Sequence, residues 1–129
     1  MIVDTSALVA ILFLEPDGTK YEQSIHDADH CRLSAGNFLE LFMVIERQAA
    51  PGMAHQAEMF LSRAGIAVEP VTLEQAMIAR QAFRDFGKGR HKAALNFGDC
   101  FAYALAKATG EPLLFKGDDF RKTDIVAAV

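Results

Sequence analysis

Four short apolar segments, separated by longer stretches with helical periodicity, constrain the fold of this chain more than any other feature. The segments are residues 1–3, 31–34, 66–71 and 112–115. Between them, apolar residues recur at helical spacing, and glycine or proline marks many of the boundaries. Strands that alternate with helices in this way predict an α/β fold with a parallel sheet, because a parallel crossover needs a helix-length connection.

The stretches between these segments predict six helices. Two of them begin with the Thr-x-x-Glu/Gln spacing of a capping box, at Thr19 and at Thr72. Gly36-Asn37 is expected to end the second strand before the third helix starts, and glycine or proline follows most of the helices. The predicted ranges are 6–13, 19–29, 38–49, 54–64, 72–86 and about 98–109.

The composition favours one cytoplasmic domain. The chain has 129 residues, 51% of them hydrophobic, and shows no linker or internal repeat, so residues 1–129 are predicted to share one core. Cys31 and Cys100 are too few for a disulfide framework and lack metal-ligand spacing, which suits a reducing compartment. The longest apolar run, residues 7–14, is far short of the roughly 18 residues that cross a membrane, and no cationic leader precedes it.

Acidic residues occupy the positions where a parallel sheet forms its binding edge. Asp4 ends the first predicted strand, and the doublet Asp118-Asp119 follows the last one. Glu40 lies in the first turn of the third helix, and Asp99 lies at the start of the sixth. Because the carboxyl ends of parallel strands and the amino ends of the following helices share one edge, these acids are expected to converge there.

Each acid also has a purely structural interpretation. Asp4 fits a turn residue at the end of a strand, and the late doublet fits a solvated turn. Glu40 has the spacing of a capping-box partner for Asn37, and Asp99 suits a helix cap that complements the helix dipole. All of these interpretations would have to hold together at a single edge of the sheet, which makes a functional cluster the better explanation.

A cluster of carboxylates needs a cation. Two carboxylates about 5 Å apart repel by about 3 kcal/mol at an effective dielectric constant near 20. Carboxylate oxygens without nearby histidine or cysteine favour hard ions, Mg²⁺ or Mn²⁺, over Zn²⁺. Divalent ions held by carboxylates activate water and stabilise the oxygens of an in-line phosphoryl displacement, so the pattern predicts phosphodiester hydrolysis.

Four motifs, in this order and spacing, resemble those of the PIN-domain ribonucleases and, more narrowly, of the VapC toxins of bacterial toxin–antitoxin pairs. They are IVDTSAL at 2–8, NFLE at 37–40, NFGDCFAYA at 96–104 and LLFKGDDF at 113–120. Each motif alone is weak, but together they span the chain. The resemblance implies a PIN-like three-layer sandwich, with a short central parallel sheet flanked by helices.

The resemblance also implies an activity, a cofactor and partners. The activity is a Mg²⁺- or Mn²⁺-dependent endoribonuclease that acts on structured RNA such as tRNA or rRNA. The expected partners are a VapB-type antitoxin that neutralises the toxin and a second copy of the chain in a homodimer. Asp4, Glu40 and Asp99 match the acids that hold the metal, and Asp119 is favoured over Asp118 as the fourth.

Ser6 and a basic loop are the remaining candidates. Ser6 is expected either to hydrogen-bond a metal ligand or a phosphate, or to cap the first helix. Lys88, Arg90 and Lys92 lie in a glycine-containing loop that is expected to be flexible. They are either RNA phosphate contacts, which would offset the net charge of −4, or ordinary solvated side chains.

Two other functions compete with a ribonuclease. A phosphatase of the haloacid-dehalogenase type also ends its first strand with a nucleophilic Asp, and residues 117–119 with Asp124 faintly resemble its last metal motif. That chemistry normally requires a second acid two residues after the nucleophile, and this position is occupied by Ser6. The other alternative is a PIN-like module that binds RNA or protein without cutting. Such degenerate members usually lose an acid, and none is lost here.

Overall fold

The computed structural model describes residues 1–48 and 50–129, and its centre is a parallel four-stranded sheet. The strands are β1 (Ile2–Val3), β2 (Cys31–Ser34), β3 (Ile66–Glu69) and β4 (Leu113–Leu114), and their spatial order is β3-β2-β1-β4. Ile2 pairs with Arg32 on one side and with Leu113 on the other. The predicted α/β fold with a parallel sheet is therefore confirmed.

In residues 1–48 and 50–129, six helices and one short 3-10 turn connect and follow the strands. They are α1 (Thr5–Leu12), α2 (Gly18–Asp27), α3 (Ala35–Gln48), α4 (Met53–Arg63), α5 (Leu73–Phe86), α6 (Phe97–Thr109) and a 3-10 turn at Phe120–Lys122. No helix in the two described ranges is long and apolar enough to cross a membrane.

The helices cover both faces of the sheet and create two apolar cores. Successive residues of a strand point to opposite faces. Val3 therefore packs in the core formed with α1 to α4, whereas Ile2 packs in the core formed with α5 and α6. Leu33 of β2 belongs to the first core, and Leu113 of β4 belongs to the second. This arrangement is the expected three-layer sandwich.

The predicted start of the third helix and the predicted cap of the second helix are wrong. The second helix begins at Gly18, one residue before Thr19, and Asp17 precedes it without a side-chain capping bond. The third helix begins at Ala35, so Gly36 and Asn37 lie inside its first turn instead of breaking the strand. A Cβ at Gly36 would overlap the Phe101 ring, so the glycine there serves close packing against α6. The predicted end of this helix, residue 49, lies outside the described residues.

Other helix ends agree with the sequence. The Thr72 hydroxyl accepts a hydrogen bond from the Gln75 backbone N–H (3.1 Å) at the start of α5. At the carboxyl end of α6, Gly110 adopts φ = 72°, the left-handed conformation that favours glycine after a helix. These helix ends were predicted correctly from the sequence because the residues that start or stop each helix act on its own backbone.

The strand order creates a crevice at the carboxyl end of β1. The chain leaves β1 toward β2 on one side and returns to β4 on the other, so β1 and β4 flank the point where the connections diverge. Ligands bind at such switch points in open α/β sheets. The Asp4 N–H donates to the Leu114 carbonyl (2.9 Å), so Asp4 lies directly beside this crevice.

Candidate active site

Asp4 is a buried acid with one committed oxygen and one free oxygen. It is the N-cap of α1, and its side chain is only 3% exposed. Oδ2 accepts hydrogen bonds from the backbone N–H of Ser6 (3.0 Å) and from the Ser6 hydroxyl (2.5 Å). Oδ1 is buried and accepts no hydrogen bond from the described residues. Helix capping therefore uses Oδ2 of this carboxylate, and Oδ1 is free to contact another partner.

Ser6 connects Asp4 to the segment that follows β4. While its hydroxyl donates to Asp4, it also accepts a hydrogen bond from the backbone N–H of Lys116 (3.0 Å). The Lys116 side chain turns away and pairs with Glu15 and Asp17 in the turn between α1 and α2. The structure thus places Ser6 against Asp4, a candidate metal ligand, and Lys116 has a structural role in the turn between α1 and α2.

Asn37 holds Glu40 and α6 together. The Asn37 side-chain amide donates to Glu40 Oε1 (3.2 Å) and to the Gly98 carbonyl (3.0 Å). A Cβ at Gly98 would overlap the Glu40 carboxylate, so the absence of a side chain there gives Glu40 its place. The capping-box interpretation of Glu40 is wrong, because Asn37 lies within α3 and contacts Glu40 through its side chain.

Sequence reasoning missed the role of Asn37, although a signal was present. Asn37, Leu41 and Ile45 recur every fourth residue and form the buried face of α3. A fully buried amide on an apolar helical face requires hydrogen-bond partners. Its position therefore pointed to a polar contact across the core, where only a cap had been considered.

Asp99 lies in the first turn of α6 and forms a capping box with Asn96, which is the N-cap of the helix. Its Oδ2 accepts a hydrogen bond from the Asn96 backbone N–H (2.9 Å), and its own N–H donates to Asn96 Oδ1 (2.9 Å). The structural interpretation of Asp99 is thus true, and it does not exclude the functional one. The cap fixes the direction of a carboxylate that also lies within electrostatic reach of Glu40.

Burial and neighbouring charges keep Asp4 partly protonated near neutral pH. Burial raises the pKa of Asp4 to about 7. The hydrogen bonds from Ser6 oppose this rise, whereas the charges of Asp99 and Glu40 add to it. A cluster of carboxylates without a bound cation is expected to raise the pKa of its members. The acids Asp4, Glu40, Asp99 and Asp119 are called the acidic pocket below.

Asp99 shows the same effect and connects the fourth acid to the pocket. Burial raises the pKa of Asp99 to about 6, the Asn96 hydrogen bond opposes the rise, and the charges of Glu40 and Asp119 add to it. Asp118 and Asp119 are both exposed, and Asp119 is the member of the doublet whose charge acts on Asp99. The charges of Glu40 and Asp99 thus act on the pKa of Asp4, and the charge of Asp119 acts on the pKa of Asp99.

Comparison with known proteins shows the family of this chain. The model of the PIN domain family matches residues 1–126. The chain belongs to the PIN-domain family. Ribonuclease VapC30 of Mycobacterium tuberculosis is 49% identical over 126 residues, which cover 97% of this chain and 95% of that protein. Ribonuclease VapC of Mycolicibacterium smegmatis is 48% identical over 127 residues, 98% of each chain.

A solved structure shows the same fold. The crystal structure of Mycobacterium tuberculosis VapC20, described as a sarcin–ricin loop cleaving toxin, superposes on this PIN domain with a TM-score of 0.78. The two proteins are 18% identical, and the match covers 97% of this chain and 95% of VapC20. At this identity the likeness establishes the three-layer fold alone.

Two buried oxygens near the acids lack a hydrogen-bond partner in the part of the chain that the structure describes. Asp4 Oδ1 and Asn37 Oδ1 are buried oxygens with no hydrogen-bond donor among the described residues, which calls for an ion or a water as their partner. Among those residues, no three His, Cys, Asp or Glu side chains stand close enough to form a closed metal site. Mg²⁺ does not need one, since it keeps several waters and binds through one or two carboxylates.

The raised pKa of Asp4 predicts that the metal-free PIN domain loses stability as the pH rises. The folded chain binds this proton up to about pH 7, whereas the unfolded chain releases it near pH 3.8, so the free energy of unfolding falls between these values. Asp4 should contribute a decrease of about 2 to 3 kcal/mol from pH 5 to pH 8. Urea denaturation in the presence of a chelator measures this change.

The sign of this pH dependence distinguishes Asp4 from the ion-paired acids. The pKa of Glu111 is lowered by its hydrogen bond and ion pair with the amino terminus, against the effect of burial. Acids with lowered pKa values lose their stabilising contribution only when the pH falls toward their own pKa, below about pH 5. A free energy of unfolding that is higher at pH 8 than at pH 5 would contradict the buried, unpaired state of Asp4.

Backbone hydrogen bonds close the base of the basic loop of the PIN domain, residues 87–95. The Lys88 N–H donates to the Leu95 carbonyl and the Leu95 N–H donates to the Phe86 carbonyl, both at 2.9 Å. Inside the loop, the Ala93 N–H donates to His91 Nδ1 (3.0 Å), and the His91 ring stands edge-on to Phe86. The role of His91 is therefore structural.

The three cations of this loop remain available to a ligand. Lys88, Arg90 and Lys92 are exposed, and none of them forms an ion pair with another residue in the ranges 1–48 and 50–129. The loop leads directly into Asn96 and α6, so the cations lie on the chain segment that enters the pocket.

Proposed function

We propose that this PIN domain is a metal-dependent endoribonuclease toxin of the VapC type, which cuts structured RNA in the cytoplasm. The observation that carries the proposal is the free, buried oxygen of Asp4 at the switch point of the sheet, within electrostatic reach of Glu40 and Asp99. Membership of the PIN-domain family and the VapC ribonuclease names of its relatives support it.

The chain supplies a set of acids whose oxygens are already oriented. Ser6 fixes one oxygen of Asp4 and leaves the other toward the pocket, Asn37 positions Glu40, and Asn96 positions Asp99. We propose that Asp4, Glu40, Asp99 and Asp119 hold Mg²⁺ or Mn²⁺, one or two of them directly and the others through the waters of the ion. Such an ion, when bound, lowers the pKa of water and stabilises charge on phosphate oxygens.

We assign the fourth position to Asp119 in preference to Asp118. Asp119 immediately precedes the 3-10 turn, whose Phe120 is buried in the core beside Phe115, so the backbone at this position is anchored. Its charge acts on Asp99. Both observations favour a fixed relation between Asp119 and the pocket.

Total cellular RNA is the substrate for the first test. The antitoxin-free protein is incubated with it in Mg²⁺, in Mn²⁺ and in chelator. Discrete fragments that require the metal are expected, and their ends identify the RNA and the cleavage site. A folded protein that binds RNA but produces no fragments with either metal would favour the non-catalytic PIN-like module instead.

Replacing the three loop cations is expected to weaken RNA binding and its salt dependence. Each phosphate contact to a single strand contributes about −0.7 to the slope of log K against log salt. The triple change Lys88→Gln, Arg90→Gln and Lys92→Gln should therefore reduce the slope by up to about 2 if all three contact phosphates. Filter binding at several salt concentrations measures it.

A matched variant separates this effect from a change in net charge. This variant replaces three exposed cations that lie on helices outside the basic loop: Lys20→Gln, Arg63→Gln and Arg80→Gln. This control should retain the slope of the unchanged protein. Equal slopes in both triple variants would assign the basic loop to solvent.

The protein partners follow from the same proposal. We propose that a VapB-type antitoxin neutralises the toxin and that the chain forms a homodimer through the exposed apolar face of α3. Leu39 and Met43, one helical turn apart, are 61% and 47% exposed, and Phe38 packs beside Phe42. Ile45, farther along α3, is buried in the core and is not part of this face. Sedimentation equilibrium of Leu39→Glu beside the unchanged chain tests the dimer.

A further inference from the structure

Lys116 lies on the segment that carries the fourth acid of the acidic pocket. It comes two residues after the end of β4 and three residues before Asp119. Its backbone N–H donates a hydrogen bond to the Ser6 hydroxyl (3.0 Å), and that hydroxyl donates to Asp4 Oδ2 (2.5 Å). A chain of two hydrogen bonds therefore joins this segment to the first acid.

The Lys116 side chain joins the same segment to the turn between α1 and α2. Its ammonium group donates to Glu15 Oε2 and to Asp17 Oδ1, the second at 3.0 Å. Asp17 also accepts a hydrogen bond from the Tyr21 hydroxyl (3.3 Å), and Tyr21 is buried in the core formed with α1 to α4. The turn that receives Lys116 is therefore itself anchored to the core.

Buried aromatic rings fix the two ends of the segment that carries Asp119. Phe115 and Phe120 are both buried, and their ring centroids are 5.1 Å apart. Between them, Gly117 has φ = 98°, and both aspartates of the doublet are exposed. An ion pair between partly exposed partners contributes about 1 kcal/mol or less to stability. At Lys116 the pair acts on a part of the segment whose conformation is not determined by burial, so its main effect is on geometry.

We propose that Lys116 is a positioning residue for the metal site, because it holds the backbone that leads to Asp119 in a fixed place beside Asp4. This inference rests on the proposed ribonuclease function, in which both acids hold the ion. The backbone N–H of Lys116 is tied to the Asp4 side of the pocket, and its side chain is tied to a different part of the chain. The two attachments together restrict the movement of the segment, and loss of the side chain leaves only the first.

The sign of the effect on metal affinity separates positioning from charge. Lys116→Met removes a positive charge from the segment of the fourth acid, and by electrostatics alone a more negative protein binds a divalent cation more tightly. Loss of positioning has the opposite sign, since the ion then has to order Asp119 when it binds. Groups that orient metal ligands typically contribute about ten- to a hundredfold to metal affinity. Lys116 acts through the backbone, so we expect a loss at the lower end, about tenfold.

The test measures metal binding without RNA. The purified protein is titrated with Mn²⁺, and the free ion is measured by electron paramagnetic resonance. Lys116→Met should bind Mn²⁺ about tenfold more weakly than the unchanged protein, and Lys116→Arg, which keeps the charge, should restore the affinity. Removing both carboxylate partners, with Glu15→Gln and Asp17→Asn, should abolish any further effect of Lys116→Met.

Lys122→Met is the matched control. Lys122 is an exposed cation on the same segment, and it forms no ion pair with another residue in the ranges 1–48 and 50–129. Its replacement makes the same change in net charge, so the control should bind Mn²⁺ at least as tightly as the unchanged protein. Hydrogen exchange of the metal-free protein should be faster at residues 116–120 in Lys116→Met and unchanged there in the control.

Three results would overturn the inference, and they are distinguishable. If the unchanged protein binds Mn²⁺ and Lys116→Met binds it equally or more tightly, the side chain does not position the site, while the ribonuclease proposal stands. If Lys116→Met weakens RNA binding and leaves Mn²⁺ affinity and hydrogen exchange unchanged, Lys116 contacts RNA instead. If the unchanged protein neither binds Mn²⁺ nor cuts cellular RNA, the proposed function fails and the inference fails with it.

Discussion

Asp4→Asn is expected to lower metal-dependent RNA cleavage by at least about a hundredfold. Asparagine can still accept the hydrogen bonds from Ser6 that cap α1, so the fold should persist. The substitution removes the negative charge from the buried oxygen that has no hydrogen-bond partner among the described residues. Cleavage of labelled RNA under single-turnover conditions measures the loss in the chemical step.

The same substitution should stabilise the metal-free protein at alkaline pH. Near pH 8 the buried Asp4 carboxylate is ionised at a cost, because burial has raised its pKa to about 7. Asparagine avoids this cost, so the thermal midpoint in chelator should rise by several degrees at pH 8 and change little at pH 5. Mg²⁺ should raise the midpoint of the unchanged protein and have a much smaller effect on the variant.

Glu58→Gln is the matched control for Asp4→Asn. Glu58 is an exposed acid on α4, so its replacement makes the same change in net charge outside the pocket. It should keep both the cleavage rate and the pH dependence of the midpoint. Full activity of Asp4→Asn would show that the reaction takes place elsewhere, and a lower midpoint at pH 8 would show that the Asp4 carboxylate has a stabilising partner.

The order of strands and helices was readable from the sequence because local patterns determine it. The first apolar segment ends at Asp4, and the Thr72 capping signal acts on the backbone of its own helix. From this order, the convergence of Asp4, Glu40 and Asp99 at one edge followed by topology alone. Their mutual effects on pKa agree with that convergence.

The details of the pocket were not readable, because they depend on contacts between distant segments. Gly36 was interpreted as a strand breaker, yet it lies in α3 and makes room for the ring of Phe101. Asn37 was interpreted as a cap, yet it reaches across to the Gly98 carbonyl. In both cases, a residue type that usually affects its own backbone instead allows or makes a contact between α3 and α6.

Gly98→Ala tests whether that approach positions Glu40. The new Cβ would overlap the Glu40 carboxylate, which is the movable end of a long side chain. Glu40 should therefore move out of its place at little cost, and alanine also favours the helix slightly over glycine. We expect cleavage to fall by about ten- to a hundredfold, while the free energy of unfolding changes by less than about 1 kcal/mol.

A double-mutant cycle with Glu40→Ala identifies the cause of this loss. If Gly98→Ala acts only by displacing Glu40, the substitution has nothing left to displace once the carboxylate is gone. The double variant should then cleave RNA as slowly as Glu40→Ala alone, and it should be no less stable. Multiplied losses in the double variant would mean that Gly98 serves another part of the pocket, such as the direction of Asp99 in the same helical turn. Non-additive losses would make Glu40 the acid that depends on this glycine.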